Sequence, residues 1–161
     1  MSLKISKPFW QVLGLGVLAG MRSMAAPAVA SHLLSRRNSG HLAKSSLDFM
    51  QSEQTVVVLK ILGVGELIAD KLPFTPDRIR PLGVAARCLA GFLAGASICK
   101  ASGKNSLAGA LIGSAAAFGS SFGSYYLRKK ATASLNLSNP IAGGLEDILV
   151  IVTGVGIVCT A

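Results

Sequence analysis

Charge is what this sequence has least of. Only 14% of its 161 residues are charged, against about 25% in soluble domains. Acids are the scarcer sign: seven Asp and Glu stand against sixteen Lys and Arg, for a formal charge of +9. Aromatic residues make up 6%, with a single Trp, and there are two His and three Cys. Each shortage excludes something. Cys88, Cys99 and Cys159 lack metal-ligand spacing, and an odd count inside apolar segments reads as small buried filler rather than a disulfide framework. His32 and His41 are isolated near a loop and are expected to be solvated. No P-loop, GxSxG or HExxH occurs, so no catalytic residue, no metal and no cofactor is expected, and the chain is not read as an enzyme.

The basic excess does not point to nucleic acid. Its residues lie in short loops between apolar runs, which is how a membrane protein distributes them. Apolar residues reach 51% and glycines number 18, with a mean hydropathy of +0.56. Lipid is therefore the expected solvent, and small residues let helices approach closely within it. The expected fold is all-α: one transmembrane domain over 1–161, a bundle of about five Gly/Ala-rich spans.

The first span runs from Phe9 to about Leu34. Its basic start and apolar run resemble a signal peptide, but Arg22 interrupts the run. The second is Thr55 to Leu72, the third Leu82 to Ile98, the fourth Leu107 to Leu127 and the fifth Ile141 to Thr160. Residues 35–52 form a polar loop with room for one amphipathic turn. Tyr125, Tyr126, Arg128, Lys129 and Lys130 close the fourth span as an aromatic belt with a basic stop. On five crossings, nine Lys and Arg fall on the N-terminal side and five on the other, which predicts a cytoplasmic N-terminus. The order of a glycine-rich span followed by an acidic span occurs twice, with one span between, a pattern consistent with an inverted repeat. Four GxxxG pairs (Gly16/Gly20, Gly91/Gly95, Gly109/Gly113, Gly119/Gly123) predict tight helix contacts within the chain or between copies.

Against this background the ionisable residues inside or beside the spans are the candidates for function. Arg22 falls near mid-membrane, where an unpaired arginine costs at least ~2.5 kcal/mol. It should meet an acid: Glu66, Asp70, Glu146 or Asp147. Glu66 and Asp70 share a helix face four residues apart and repel unless a cation, a proton or a basic group joins them. Pro73 and Pro76 end that helix, Lys71, Arg78 and Arg80 follow, and Arg87 lies about two turns into the next span. Gly20 and Pro27 could kink or break the first helix and leave backbone groups for a ligand. A plain kink with a structural salt bridge accounts for the same residues. Asp147 and Glu146 could also simply cap the fifth helix.

GMRSMAAPA, GELIADKLPFTPDRIRP, AGALIGSAAAFGSSFGSYYLRKK and LEDILV together resemble an uncharacterised bacterial membrane family, domain of unknown function four-one-two-six. The matching positions are Gly20 to Ser23, Ala69 to Pro73, and Glu146 with Asp147. The resemblance implies a multi-span protein of the bacterial inner membrane and supplies no activity. Three readings stay open. One is a small transporter or channel, homo-oligomeric, binding an unknown small ion or solute through Arg22, Glu66, Asp70, Lys71, Arg87, Glu146 and Asp147. Another is a membrane scaffold whose charges are structural. The last is a lipid-phosphate binder that uses Arg78 and Arg80 at the headgroups of membrane lipids.

Overall fold

The computed structural model describes residues 7–37, 39–43, 45–69, 81–135 and 139–160, and every regular element among them is helical. Six α-helices follow in order: α1 Lys7–Met21, α2 Ala25–Arg37, α3 Glu53–Ala69, α4 Pro81–Ala101, α5 Ser106–Leu135 and α6 Asn139–Thr160. Among its described residues the polar loop contains one 3₁₀ turn, Asp48–Gln51, whose Met50 carbonyl accepts the buried Ser31 hydroxyl at 2.7 Å.

The expected first span is not one helix. Pro27 has no N–H, and its ring would collide with the Ser23 carbonyl of a continuous helix. The chain therefore leaves the helix after Met21 and starts again at Ala25, with Pro27 in the first turn, where a missing donor costs nothing. It also reverses. Asp147 of α6 pairs with Arg22 and Gly14 lies against Ile157, so α6 runs antiparallel to α1. Gly154 lies against both Leu18 and Val29, which places α2 beside α1 and parallel to α6. Gln11, Leu33 and Leu34 accordingly line one cavity of about 320 Å³ at the open end. α1 and α2 are thus a helical hairpin with its tip at 22–24. At 15 and 13 residues the arms measure about 22 and 20 Å, too short to cross a hydrocarbon core of about 30 Å.

Among the described residues two helices are long and apolar enough to cross a membrane, Pro81–Ala101 and Ser106–Leu127. Of the five expected spans, these two meet the length and hydropathy of a crossing among the described residues, and they suggest a membrane protein. Two expectations that treated the first apolar run as one crossing do not hold. α1 begins at the end where α2 finishes, so the lysine and arginine asymmetry no longer separates two sides. The inverted repeat needs the first and fourth spans to run oppositely, yet Gly16 meets Gly113 and Gly20 meets Ala117 and Ser120, so α1 runs parallel to α5.

α1 forms the centre of the bundle, packed by α2, α4, α5 and α6. Val12, Leu15, Leu18 and Ala19 are fully buried on it, at the spacing of one helix face. α4 and α5 are joined by a short turn in which Gly103 adopts φ 69°. Gly103 N–H donates to Lys100 O at 3.0 Å and Lys104 N–H to Cys99 O at 2.9 Å, the two bonds of a glycine-terminated helix end. The helices then pack backbone to backbone: a Cβ on Gly91 or Gly95 would overlap the carbonyl oxygen of Gly113 or Gly109. Gly16 and Gly20 seat α1 on α5 in the same way, whereas nothing lies within 4 Å of such an atom at Gly119 or Gly123. Ser120 and Ser121 add hydroxyl bonds to Val17 O and Gly20 O at 3.0 and 3.2 Å. Of the cysteines, only Cys99 is buried; Cys88 is half-buried and Cys159 exposed.

Candidate functional site

The hairpin tip collects the ionisable groups. Leaving the helix at Arg22 frees backbone donors that α1 would otherwise have used. Arg22 N–H makes the last bond of α1, to Leu18 O at 2.7 Å, and Met24 O accepts the first of α2, from Ala28 at 3.1 Å. Between them Ser23 and Met24 point their N–H groups at Glu66, which reaches in from the last turn of α3. Ser23 N–H and Oγ donate to Glu66 Oε1 at 3.0 and 2.6 Å, and Met24 N–H donates to Oε2 at 2.9 Å. Two successive amides and a hydroxyl make a cradle for a carboxylate, and the positive end of the α2 dipole adds to it.

Arg22 closes the other side. Its side chain is only 4% exposed, and its guanidinium donates to Asp147 Oδ1 on α6. Of the four acids expected to meet Arg22, Asp147 is the one placed against it by these contacts, and Glu66 holds the backbone next door. Three elements remote in sequence, the tip, α3 and α6, therefore converge on one charged centre.

That centre opens onto a groove. α3 and α6 both lean on α2 and leave a cavity of about 540 Å³ between them. Ala25, Ala28 and Val29 of α2 floor it, and Gly63, Val64, Val150, Ile151 and Val155 wall it. Arg22, Glu66 and Asp147 sit at one end, and His32 and Lys60 toward the other. His32 is half-buried on this groove rather than free in solvent, while His41 is exposed. Among the described residues no group of three or more His, Cys, Asp or Glu could hold a metal ion.

Not every candidate joins the site. Arg87 is half-buried on α4 and is not part of the groove lining. Glu146 lies in α6 with its side chain outside the described residues, and Asp70, Lys71, Arg78 and Arg80 lie outside them altogether. Reasoning from sequence missed the Ser23 and Met24 amides and the basic end at Lys60. Pro27, four residues after Ser23, was the available signal for the first. A lysine in an aliphatic helix was the signal for the second.

A family model described as Domain of unknown function (DUF4126) matches residues 10–158. No curated protein matches the chain, and no solved structure does.

Proposed function

The chain belongs to the domain-of-unknown-function family DUF4126, so its activity has to be read from its own residues, and we propose that it is a multi-pass protein of the bacterial inner membrane that passes a small ion or polar solute across the charged tip of the α1–α2 hairpin. Lipid as the solvent is supported by what stays exposed. The core helix of a soluble protein is mostly buried, yet the apolar windows of α4 and α5 are 44% and 28% buried. Ile61 and Ile68 on α3 and Val152 on α6 are 65%, 62% and 62% exposed. Water would charge heavily for such a surface; hydrocarbon does not.

If α4 and α5 cross the bilayer, the hairpin enters and leaves on one side. From Ser106 to Ser120, the level of the tip, is about 21 Å along α5. The break then lies inside the apolar layer. Irregular backbone at that depth is tolerated only where protein buries it or where it lines a cavity, and broken helices are where membrane proteins place ions and solutes. The observation that carries the reading is Glu66 on the Ser23 and Met24 amides beside the Arg22–Asp147 pair, at the mouth of a groove. A cation or proton would join the two carboxylates; an anion would take the place of Glu66 on the amides. A homo-oligomer is part of this reading, because a few short helices are too few to enclose a wide path alone.

The test is flux in proteoliposomes, read for protons with a trapped pH dye and for potassium and chloride with ion electrodes. Wild type should conduct at least one of the three above protein-free vesicles. Arg22→Gln, Glu66→Gln and Asp147→Asn should each reduce that flux at least tenfold. Flux that all three variants leave unchanged, or no flux from wild type, overturns the proposal.

How fully Glu66 is engaged favours a second reading, an assembly protein in which the tip is a structural knot. Arg22→Glu combined with Asp147→Arg separates the two. Assembly regained without flux supports transport, and wild-type assembly from a protein that never conducts supports the scaffold.

A further inference from the structure

The groove has a second charged end that the tip chemistry does not use. Lys60 stands six residues before Glu66 on α3, about 9 Å along the axis. It is exposed in an aliphatic stretch and makes no ion pair or hydrogen bond among the described residues. His32 faces the same groove from α2, close enough to Lys60 and Arg36 for both charges to act on it, and among the described residues no acid stands with them. Between this basic end and the tip the walls are alanine, valine, glycine and isoleucine. α2 ends five residues beyond His32, and α3 begins seven residues before Lys60, so both groups lie within about 10 Å of a helix end. A lysine side chain covers much of that distance by snorkelling.

We infer that this groove takes one anionic phospholipid sideways from the bilayer, its phosphate on Lys60, His32 and Arg36 and one acyl chain along the α6 face toward Val155 and Ile151. Charge decides the occupant. A cation facing hydrocarbon needs an anion, and a lipid phosphate brings one together with a chain that matches the aliphatic walls. A second copy of the chain would have to present a carboxylate from an aliphatic surface. Among the described acids, Glu66 and Asp147 are engaged at the tip, Asp48 accepts from Gln51 in the polar loop, and Glu53 is in the first turn of α3. The inference shares the membrane setting of the proposed function but does not depend on transport: absent flux leaves it standing, while failure to integrate into bilayers overturns both.

The experiment counts lipids on the purified full-length protein. After equilibration with vesicles of equal phosphatidylcholine and phosphatidylglycerol, native mass spectrometry should find one phosphatidylglycerol per chain, preferred at least tenfold. Lys60→Leu with His32→Gln should abolish the preference. Val155→Trp, which fills the groove and keeps every basic residue, should lower retention at least tenfold, and Lys130→Ala, on the exposed end of α5, should leave it unchanged. Gel-filtration profiles matching wild type show that the variants fold. Three results would overturn the inference. One is equal retention of the two lipids, or retention indifferent to both groove variants. Another is displacement by millimolar inorganic phosphate, which would make this a free-phosphate site. The third, in a cysteine-free background, is a disulfide formed between Val64→Cys of one chain and Ile151→Cys of another, which would put a second copy in the groove.

Discussion

Ser23 gives both of its donors to one oxygen of Glu66, the hydroxyl at 2.6 Å and the amide at 3.0 Å, across 43 residues of sequence. Met24 gives its amide to the other oxygen at 2.9 Å. The hairpin tip is half-buried at the head of the groove, and Glu66 takes up the hydrogen bonds that the break in the helix leaves open. Glu66→Ala removes the shared acceptor of two amides and a hydroxyl, all half-buried, at about 0.5–1.5 kcal/mol for each bond lost. A loss of several kcal/mol in detergent unfolding is expected. Glu66→Gln keeps one acceptor and should lose less than Glu66→Ala. Ser23→Ala, which deletes only the hydroxyl, should cost about 1 kcal/mol. Equal stability of Glu66→Ala and wild type would mean the tip is satisfied some other way.

The Arg22–Asp147 pair makes a separate prediction. Breaking a buried pair by removing one partner typically costs about 3–5 kcal/mol, because a charge is left behind, whereas replacing both by apolar groups of similar size can be neutral. Asp147→Leu should destabilise strongly, and Arg22→Met with Asp147→Leu should recover much of the loss. A double-mutant cycle in thermal unfolding reads this as a favourable coupling of at least about 1 kcal/mol. Additive losses would show that the two side chains do not depend on each other.

These two pairs also show what the sequence could and could not disclose. That Arg22 needs an acid follows from the cost of a lone guanidinium among apolar residues, and Asp147 was one of four acids able to supply it. Which acid does so depends on helix packing, which no local pattern encodes. The helix segments from Glu53 onward were legible because hydropathy and proline mark their ends: α4 and α5 start within a residue of expectation. The hairpin was not legible. Hydropathy is as high in α1 on one side of the tip as a span requires, and Gly20 and Pro27 are as compatible with a kink as with a reversal. Reversal is chosen by Glu66 satisfying the freed amides and by Gly154 admitting both Leu18 and Val29, neither of which is written near residue 22. Reading Phe9 to about Leu34 as one crossing was the miss, because that apolar run holds two helices, α1 and α2.

The reversal predicts a labelling pattern. In a cysteine-free background, Pro8→Cys at the start of α1 and Arg36→Cys at the end of α2 should react with a membrane-impermeant maleimide from the same side of sealed vesicles. Asn105→Cys, in the connection between α4 and α5, should share that side, because Leu33 and Ile98 line one cavity with Gln11. Reaction of Pro8→Cys and Arg36→Cys from opposite sides would restore a through-going first helix and remove the hairpin.

The glycines predict opposite outcomes for one substitution at positions that look alike in sequence. A Cβ at Gly91 would lie 2.5 Å from Gly113 O, and one at Gly16 2.6 Å from both Gly113 O and the Ala116 methyl. Neither backbone can yield without separating two helices, so Gly91→Ala and Gly16→Ala should lower the melting temperature, and leucine at either position should prevent assembly of the bundle. At Gly119 and Gly123 an added Cβ meets nothing within 4 Å. Alanine there forfeits no packing within the chain and gains up to about 1 kcal/mol of helix propensity. Gly119→Ala and Gly123→Ala should therefore match or exceed wild type in thermal unfolding of the isolated chain. A loss of stability at these two sites as large as at Gly91 would mean that α5 is covered there by something beyond the described residues, such as another chain.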